Sequence, residues 1–329
     1  MAQAIRASGA RRWLSISLWA AVIVASLHAA PVSSASKVER PYDPPPGSRW
    51  IIETSVTSDE TAPGGPMSLA IKTRAEMTVE HRTPAGFVIT YVNRGVTVEG
   101  NGQPLSARRA MLQALENVEV RATTDFSGKP LSVDNLDEVR GAVHSALGKL
   151  AAQRRDDPRT QAAIGRAVSA LIDAGGARAA SALTGDLTDL AKAQNTGLEA
   201  GKYRHIFTEA DNPLGGDALR CNALFHIGDA DPAAGRLKIV STFSYDALST
   251  KNFLKTIGQK FVAVVGQAKA AQIDVIVESM VIDLDGRALF EVEDGMTRKI
   301  TETSVTKTRA MGSDMSSIEN KVVTVTPAP

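Results

Sequence analysis

The chain has 329 residues, 43% of them apolar and 5% aromatic, with 37 basic residues against 36 acidic ones and a formal charge of +1. That balance lacks the concentrated basic footprint a nucleic-acid partner usually requires, and no basic amphipathic stretch points to attachment on anionic lipid. A single cysteine, Cys221, excludes an internal disulfide, so stability has to come from a packed core.

The N-terminus reads as a targeting segment. Arg6, Arg11 and Arg12 precede any acidic residue, and Trp13 to Leu27 is apolar over the length of a signal-peptide core, short for a membrane span. Ser33-Ser34-Ala35 offers small residues where a signal peptidase reads them. Residues 1–35 are therefore expected to be a signal peptide cleaved after Ala35, with Ala29 the second candidate and an uncleaved anchor the minority reading. Cleavage removes three arginines and no acidic residue, taking the charge from +1 to −2. The protein is expected to be periplasmic or secreted, with no stable membrane span once the signal is removed.

Pro41, Pro44, Pro45, Pro46 and Gly47 make residues 36–48 an extended linker, and one domain is expected over 49–326. Trp50, Ile52, Thr54 and Val56 alternate with polar partners as a half-buried first strand. Beyond the Pro63–Pro66 turn, Leu69, Ile71, Thr73, Ala75, Met77 and Val79 face one way and charged residues face the other. Ala85-Gly86 turns this strand into 87–98; a short helix over 106–117 and a hairpin turning at Ser127-Gly128 follow.

From Asp134 the period lengthens to that of a helix, and residues 134–200 are expected to be a mobile helical insertion or lid. Asp134 is its expected cap, with Leu136, Val139, Val143 and Leu147 on one face. A second helix from Asp157-Pro158 stops at Gly175-Gly176, and a third carries Leu183, Leu187 and Leu190. Strands return over 202–209, 218–227 and 236–245, before a helix capped by Ser249 or Thr250 that carries Phe253, Ile257 and Phe261. The C-terminal part reads as a three-strand meander, 271–284, 287–293 and 296–308, turning at Asp285-Gly286 and Asp294-Gly295. Ile318 to Val325 adds a short edge strand. The fold class is α+β: a strongly curved antiparallel β-sheet of about ten strands, half-barrel-like, with helices covering one side.

An early Gly47-Ser48-Arg49-Trp50 strand start, an Asp-x-x-Gly hairpin and a helical middle resemble an exported bacterial domain family of unknown function. The overall pattern is also similar to the half-barrel envelope proteins typified by periplasmic lipoprotein carriers. That resemblance implies a curved sheet around helices, leaving an apolar concavity for a lipid or acyl chain.

No nucleophile elbow, phosphate-binding loop or zinc-helix motif occurs, so no catalytic residue, metal or cofactor is assigned. His81, His144, His205 and His226 do not pair at metal-ligand spacing, and Asp229 with Asp231 gives too few oxygens for calcium. His205, His226 and Asp229 are the candidates for the alternative reading, an extracytoplasmic hydrolase. The low aromatic content argues against a carbohydrate-binding surface. The expected function is that of a non-enzymatic cell-envelope protein binding an apolar ligand, such as a lipid or acyl chain, or an envelope protein partner. Leu69, Ile71, Met77, Phe243, Phe253 and Phe261 are expected to line its concavity. A purely structural or assembly role is the remaining reading.

Overall fold

The computed structural model describes residues 39–62, 65–101, 112–153, 175–210, 219–253, 255, 281–310 and 313–329. Its organising element is one antiparallel sheet of eleven strands in the order β5-β4-β3-β2-β1-β11-β10-β9-β8-β7-β6. The strands are β1 Arg49–Ala62, β2 Gly65–Thr83, β3 Gly86–Gly100, β4 Glu119–Thr124, β5 Pro130–Val133, β6 Tyr203–Ala210, β7 Leu219–Asp231, β8 Arg236–Tyr245, β9 Val281–Glu293, β10 Met296–Ala310 and β11 Ser313–Pro327. Among the described residues strands dominate and helices are few, so α+β describes the fold only loosely. The described helices are α1 Leu136–Gln153, α2 Gly176–Leu183, α3 Gly185–Ala191 and α4, residues 247–253.

Two meanders, β1–β5 and β6–β11, meet where β1 pairs with β11 from Trp50↔Pro327 to Thr61↔Ser316. The strand expected at the edge is thus at the centre, with β1 on one side and β10 on the other. The expected turn at Asp285-Gly286 is also absent: both residues lie inside β9, which pairs with β8 and β10. Asp294-Gly295 does turn, with φ of 50° and 79°. The segment 271–280 and the helix over 157–174 lie outside the described residues.

The sheet is curled, and side-chain hydrogen bonds show how far. Gln194 Nε2 donates to the Ser127 carbonyl at 2.7 Å and Asn195 Nδ2 to the Phe126 carbonyl at 2.5 Å, both in the β4–β5 turn. Next to them the Thr196 carbonyl accepts from the guanidinium of Arg204 in β6, at the other end of the sheet. Laid flat, β4 and β6 would stand about 43 Å apart at ~4.8 Å per strand, whereas three residues span at most ~10 Å. The two ends must bend toward each other over residues 194–196. No pairing joins β5 to β6 among the described residues, so the sheet stays open.

The main core fills one end of the concave side. Val323, Ile300, Phe290 and Ile239 form a row across four strands, each at most 1% exposed, and Ile52 of β1, opposite Val325, packs beside it. Leu187 and Leu190 of α3 and Ala193 plug it from above. This half of the expected lid is core, not a mobile cover. Residues 39–47 also pack, contrary to the linker expectation. Tyr42 is buried edge-on against Phe87 at 5.5 Å, its N–H donates to Asn195 Oδ1 at 2.9 Å, and Arg40 reaches Asp294 at 2.5 Å. Gly295 allows this approach, because a Cβ there would meet the Pro41 carbonyl oxygen at 2.2 Å.

The helix starts differ from expectation as well. Asn135, not Asp134, precedes α1: its carbonyl accepts from Val139 N–H, while its amide side chain ties to Arg121 and Glu119 of β4. Asp134 accepts from Thr123 instead. At α4 the cap is Asp246, whose Oδ1 accepts from Ser249 N–H at 2.7 Å. Among the described residues, no helix is long and apolar enough to cross a membrane.

Candidate functional site

The concave side passes through three zones along the strands. The first is the apolar core already described. The second is a charged belt one row further along. There the register brings Lys321 of β11 opposite Val56 on one side and Glu302 on the other, all facing inward. Helix α3 lies above, presenting Asp186 and Asp189 three residues apart. Lys321 Nζ sits 2.5 Å from Asp189 Oδ2 and 3.4 Å from Asp186 Oδ1. Lys192 Nζ approaches Asp189 Oδ1 at 2.6 Å, and Tyr91 points its hydroxyl at Asp186 from 3.5 Å.

Burial alone would raise the Asp189 carboxyl, but Lys192 and Lys321 outweigh it and hold Asp189 below the usual carboxylate range. Burial opposes the charge on Lys321 too, yet Asp189 and Asp186 keep it protonated beyond the ordinary lysine range. Glu302 goes the other way: burial pushes it up, with Lys192 opposing. The belt is thus an ion-paired lock between α3 and the sheet, with one carboxyl that burial favours as the neutral acid.

The third zone is a trough toward the β1–β2 and β10–β11 turns. Leu69, Phe243, Leu284 and Met315 are half-buried there, beside Ser304, Thr306 and the inward-facing Glu319. The ring of Phe243 lies across Gly286, where a Cβ would come within 2.2 Å of it. Tyr245 meets Phe243 edge-on at 6.2 Å, and burial pushes its phenol up to about 12.

The six residues expected to line a concavity fall in different places. Leu69 and Ile71 belong to a satellite cluster with Val56 and Val98. Met77 is in the main core, Phe253 is 1% exposed in α4, and Phe243, like Leu69, sits half-buried in the trough, its ring across a glycine. Phe261 lies outside the described residues. The belt that joins α3 to β11 was missed, since Lys321 lies more than 130 residues from Asp186 and Asp189 and all three read locally as solvated charges.

The alternative site residues do not assemble. His226 is opposite Tyr203, with rings 4.9 Å apart, and His205 is opposite Leu224. Asp229 lies beyond a register shift and faces Lys238 at 3.8 Å. Asp231 caps its own turn by accepting from Ala234 N–H. Cys221 is buried, as its alternation with Ala223 and Phe225 implies.

No family model matches the chain, and no curated protein matches it. Among solved structures, the lipovitellin structure described for its lipid–protein interactions aligns with 10% identity and a TM-score of 0.44, over 87% of this chain and 26% of that one. The chain thus spans about a quarter of lipovitellin's length. An outer-membrane channel from Pseudomonas putida F1 aligns with 8% identity and a TM-score of 0.20, over 90% of this chain and 100% of that one. DynF from the dynemicin pathway of Micromonospora chersina aligns with 8% identity and a TM-score of 0.18, over 91% and 94%. At such values the fold rests on the strand pairing itself: an open, curled antiparallel sheet whose concave side is plugged at one end.

Proposed function

We propose that this protein is an exported, non-enzymatic protein of the cell envelope that holds an apolar chain, such as a lipid or acyl group, against the concave side of its sheet. The supporting observation is the trough beyond the charged belt. There half-buried Leu69, Phe243, Leu284 and Met315 offer a second apolar surface, set apart from the plugged core by the belt. A curled sheet with one end filled and the other lined by half-buried aliphatic and aromatic side chains suits a long, thin apolar ligand.

Native mass spectrometry of residues 36–329, purified gently from an exporting host, is the first test. A bound mass of lipid size supports the reading. A bare monomer that also fails to bind cis-parinaric acid overturns it. A fluorescent fatty acid then maps the surface: Leu284→Asp is expected to weaken its uptake at least tenfold while the far-ultraviolet circular dichroism stays unchanged.

A further inference from the structure

The opposite, convex face carries a separate feature. On β6, Tyr203, His205 and Phe207 point outward, and Phe207 is 78% exposed. The register extends each into a row across the sheet: Phe207, Asn222, Ser244 and Asp285 form one, and His205, Leu224, Thr242 and Arg287 the next. Between the two rows lies a hollow of about 380 Å³, whose floor is the backbone of Ile206, Ala223, Phe243 and Gly286. The inward neighbours of these floor residues do not line the hollow, so it opens outward. Running across four strands, it is about 14 Å long at ~4.8 Å per strand.

Its chemistry narrows the occupant. An amide, two hydroxyls, an imidazole and a carboxylate offer donors and acceptors along both walls, so a purely apolar chain would leave them unpaired at a cost. Asp285 disfavours an anion, and Arg287, two residues on along the same face, disfavours a cation. A neutral, polyhydroxylated ligand satisfies both. At one end the open face of Phe207 suits the C–H face of a pyranose, while ring hydroxyls reach Asn222, Ser244 and Asp285 in succession.

We propose that this groove binds a short neutral oligosaccharide, seated on Phe207 and held by Asn222, Ser244 and Asp285. The 5% aromatic content argued against such a surface only as an average. The structure places two exposed aromatics, Tyr203 and Phe207, on the same face of one strand. The site is separate from the concave trough and does not depend on it.

A neutral-glycan array, followed by calorimetric titration with maltotriose, cellotriose and chitotriose, tests the proposal. Saturable binding to at least one is expected. Phe207→Ala and Asp285→Asn should each weaken it tenfold or more, Phe207→Trp should preserve it, and Leu248→Ala, at an exposed apolar side chain elsewhere, should leave it unchanged. Silence across the array and all three trisaccharides overturns the proposal, as does binding that Phe207→Ala leaves intact. Fatty-acid uptake should be the same in Phe207→Ala as in the unaltered protein, which separates this site from the trough.

Discussion

Gly286 is the position where one methyl group has the largest expected effect. A Cβ there would enter the Phe243 ring, so Gly286→Ala is expected to lower stability by about 1–3 kcal/mol, as overpacking does. In the Phe243→Ala background the same change should cost much less, because the ring is gone. A double-mutant cycle by urea denaturation checks the coupling. Lys321 is the other sensitive residue. Replacing it with Met leaves Asp189 to Lys192 and takes from Asp186 its Lys321 partner, and the expected loss is about 3–5 kcal/mol.

The belt also sets a pH dependence with opposed signs. The depressed carboxyl of Asp189 stabilises the fold fully above the ordinary aspartate range, and that contribution fades as pH falls toward its lowered native value. Glu302 has a raised native value, so its contribution is fully present below the ordinary glutamate range and is lost as pH rises through the raised one. Glu302→Gln should therefore raise the melting temperature at pH 8 and match the unaltered protein at pH 4. Thermal melts at the two values decide it; equal shifts at both would contradict the burial of that carboxyl.

At the scale of elements, the segments that read as least structured tie the ends of the sheet together. Residues 39–47 and 193–198 clasp each other through Tyr42, Asn195 and the carboxylate of Glu39, which accepts from the N–H groups of Thr196 and Gly197 at 2.8 Å each. Asn195→Ala removes both the acceptor of the Tyr42 N–H and the donor to Phe126. It is expected to cost about 1–3 kcal/mol, and hydrogen exchange should quicken in the β4–β5 turn and in β6 together. Quickening in only one of them would mean the strap does not couple the two ends.

Much of this level was legible in the sequence. The alternation of Leu69 to Val79 located a strand and its inner face correctly, because one side of it is covered, and the strand over 236–245 was placed within a residue. The failures share a cause. Asp-Gly at 294–295 turns and Asp-Gly at 285–286 does not, and the difference is a ring brought in from β8. The proline run looked like a spacer because the groups that hold it, Asn195 and Asp294, are 153 and 254 residues away from their partners. Within the site, the trough's Phe243 was readable as an inward apolar position, whereas the ion-paired belt exists only once α3 and β11 are in place.

For the whole molecule, the decisive feature is that β1 and β11 lie side by side in the middle of the sheet. The run from Ile318 to Val325 read as a short edge strand, yet Lys321 within it faces inward and meets the acids of α3. Deleting residues 313–329 is therefore expected to abolish cooperative unfolding altogether, since it divides one sheet into two unsupported meanders. A calorimetric scan that still shows a sharp transition would contradict this.

The same adjacency governs when folding can happen. The central pairing joins segments about 260 residues apart, and contacts so distant in sequence form slowly. While the ribosome is still working, β1 has no partner on one side, and neither meander can bury the face that the other covers. The nascent chain must stay loose until β11 emerges. The order of the strands thus postpones compaction until β11 has been made, and an unfolded chain is what the export proposed above would need.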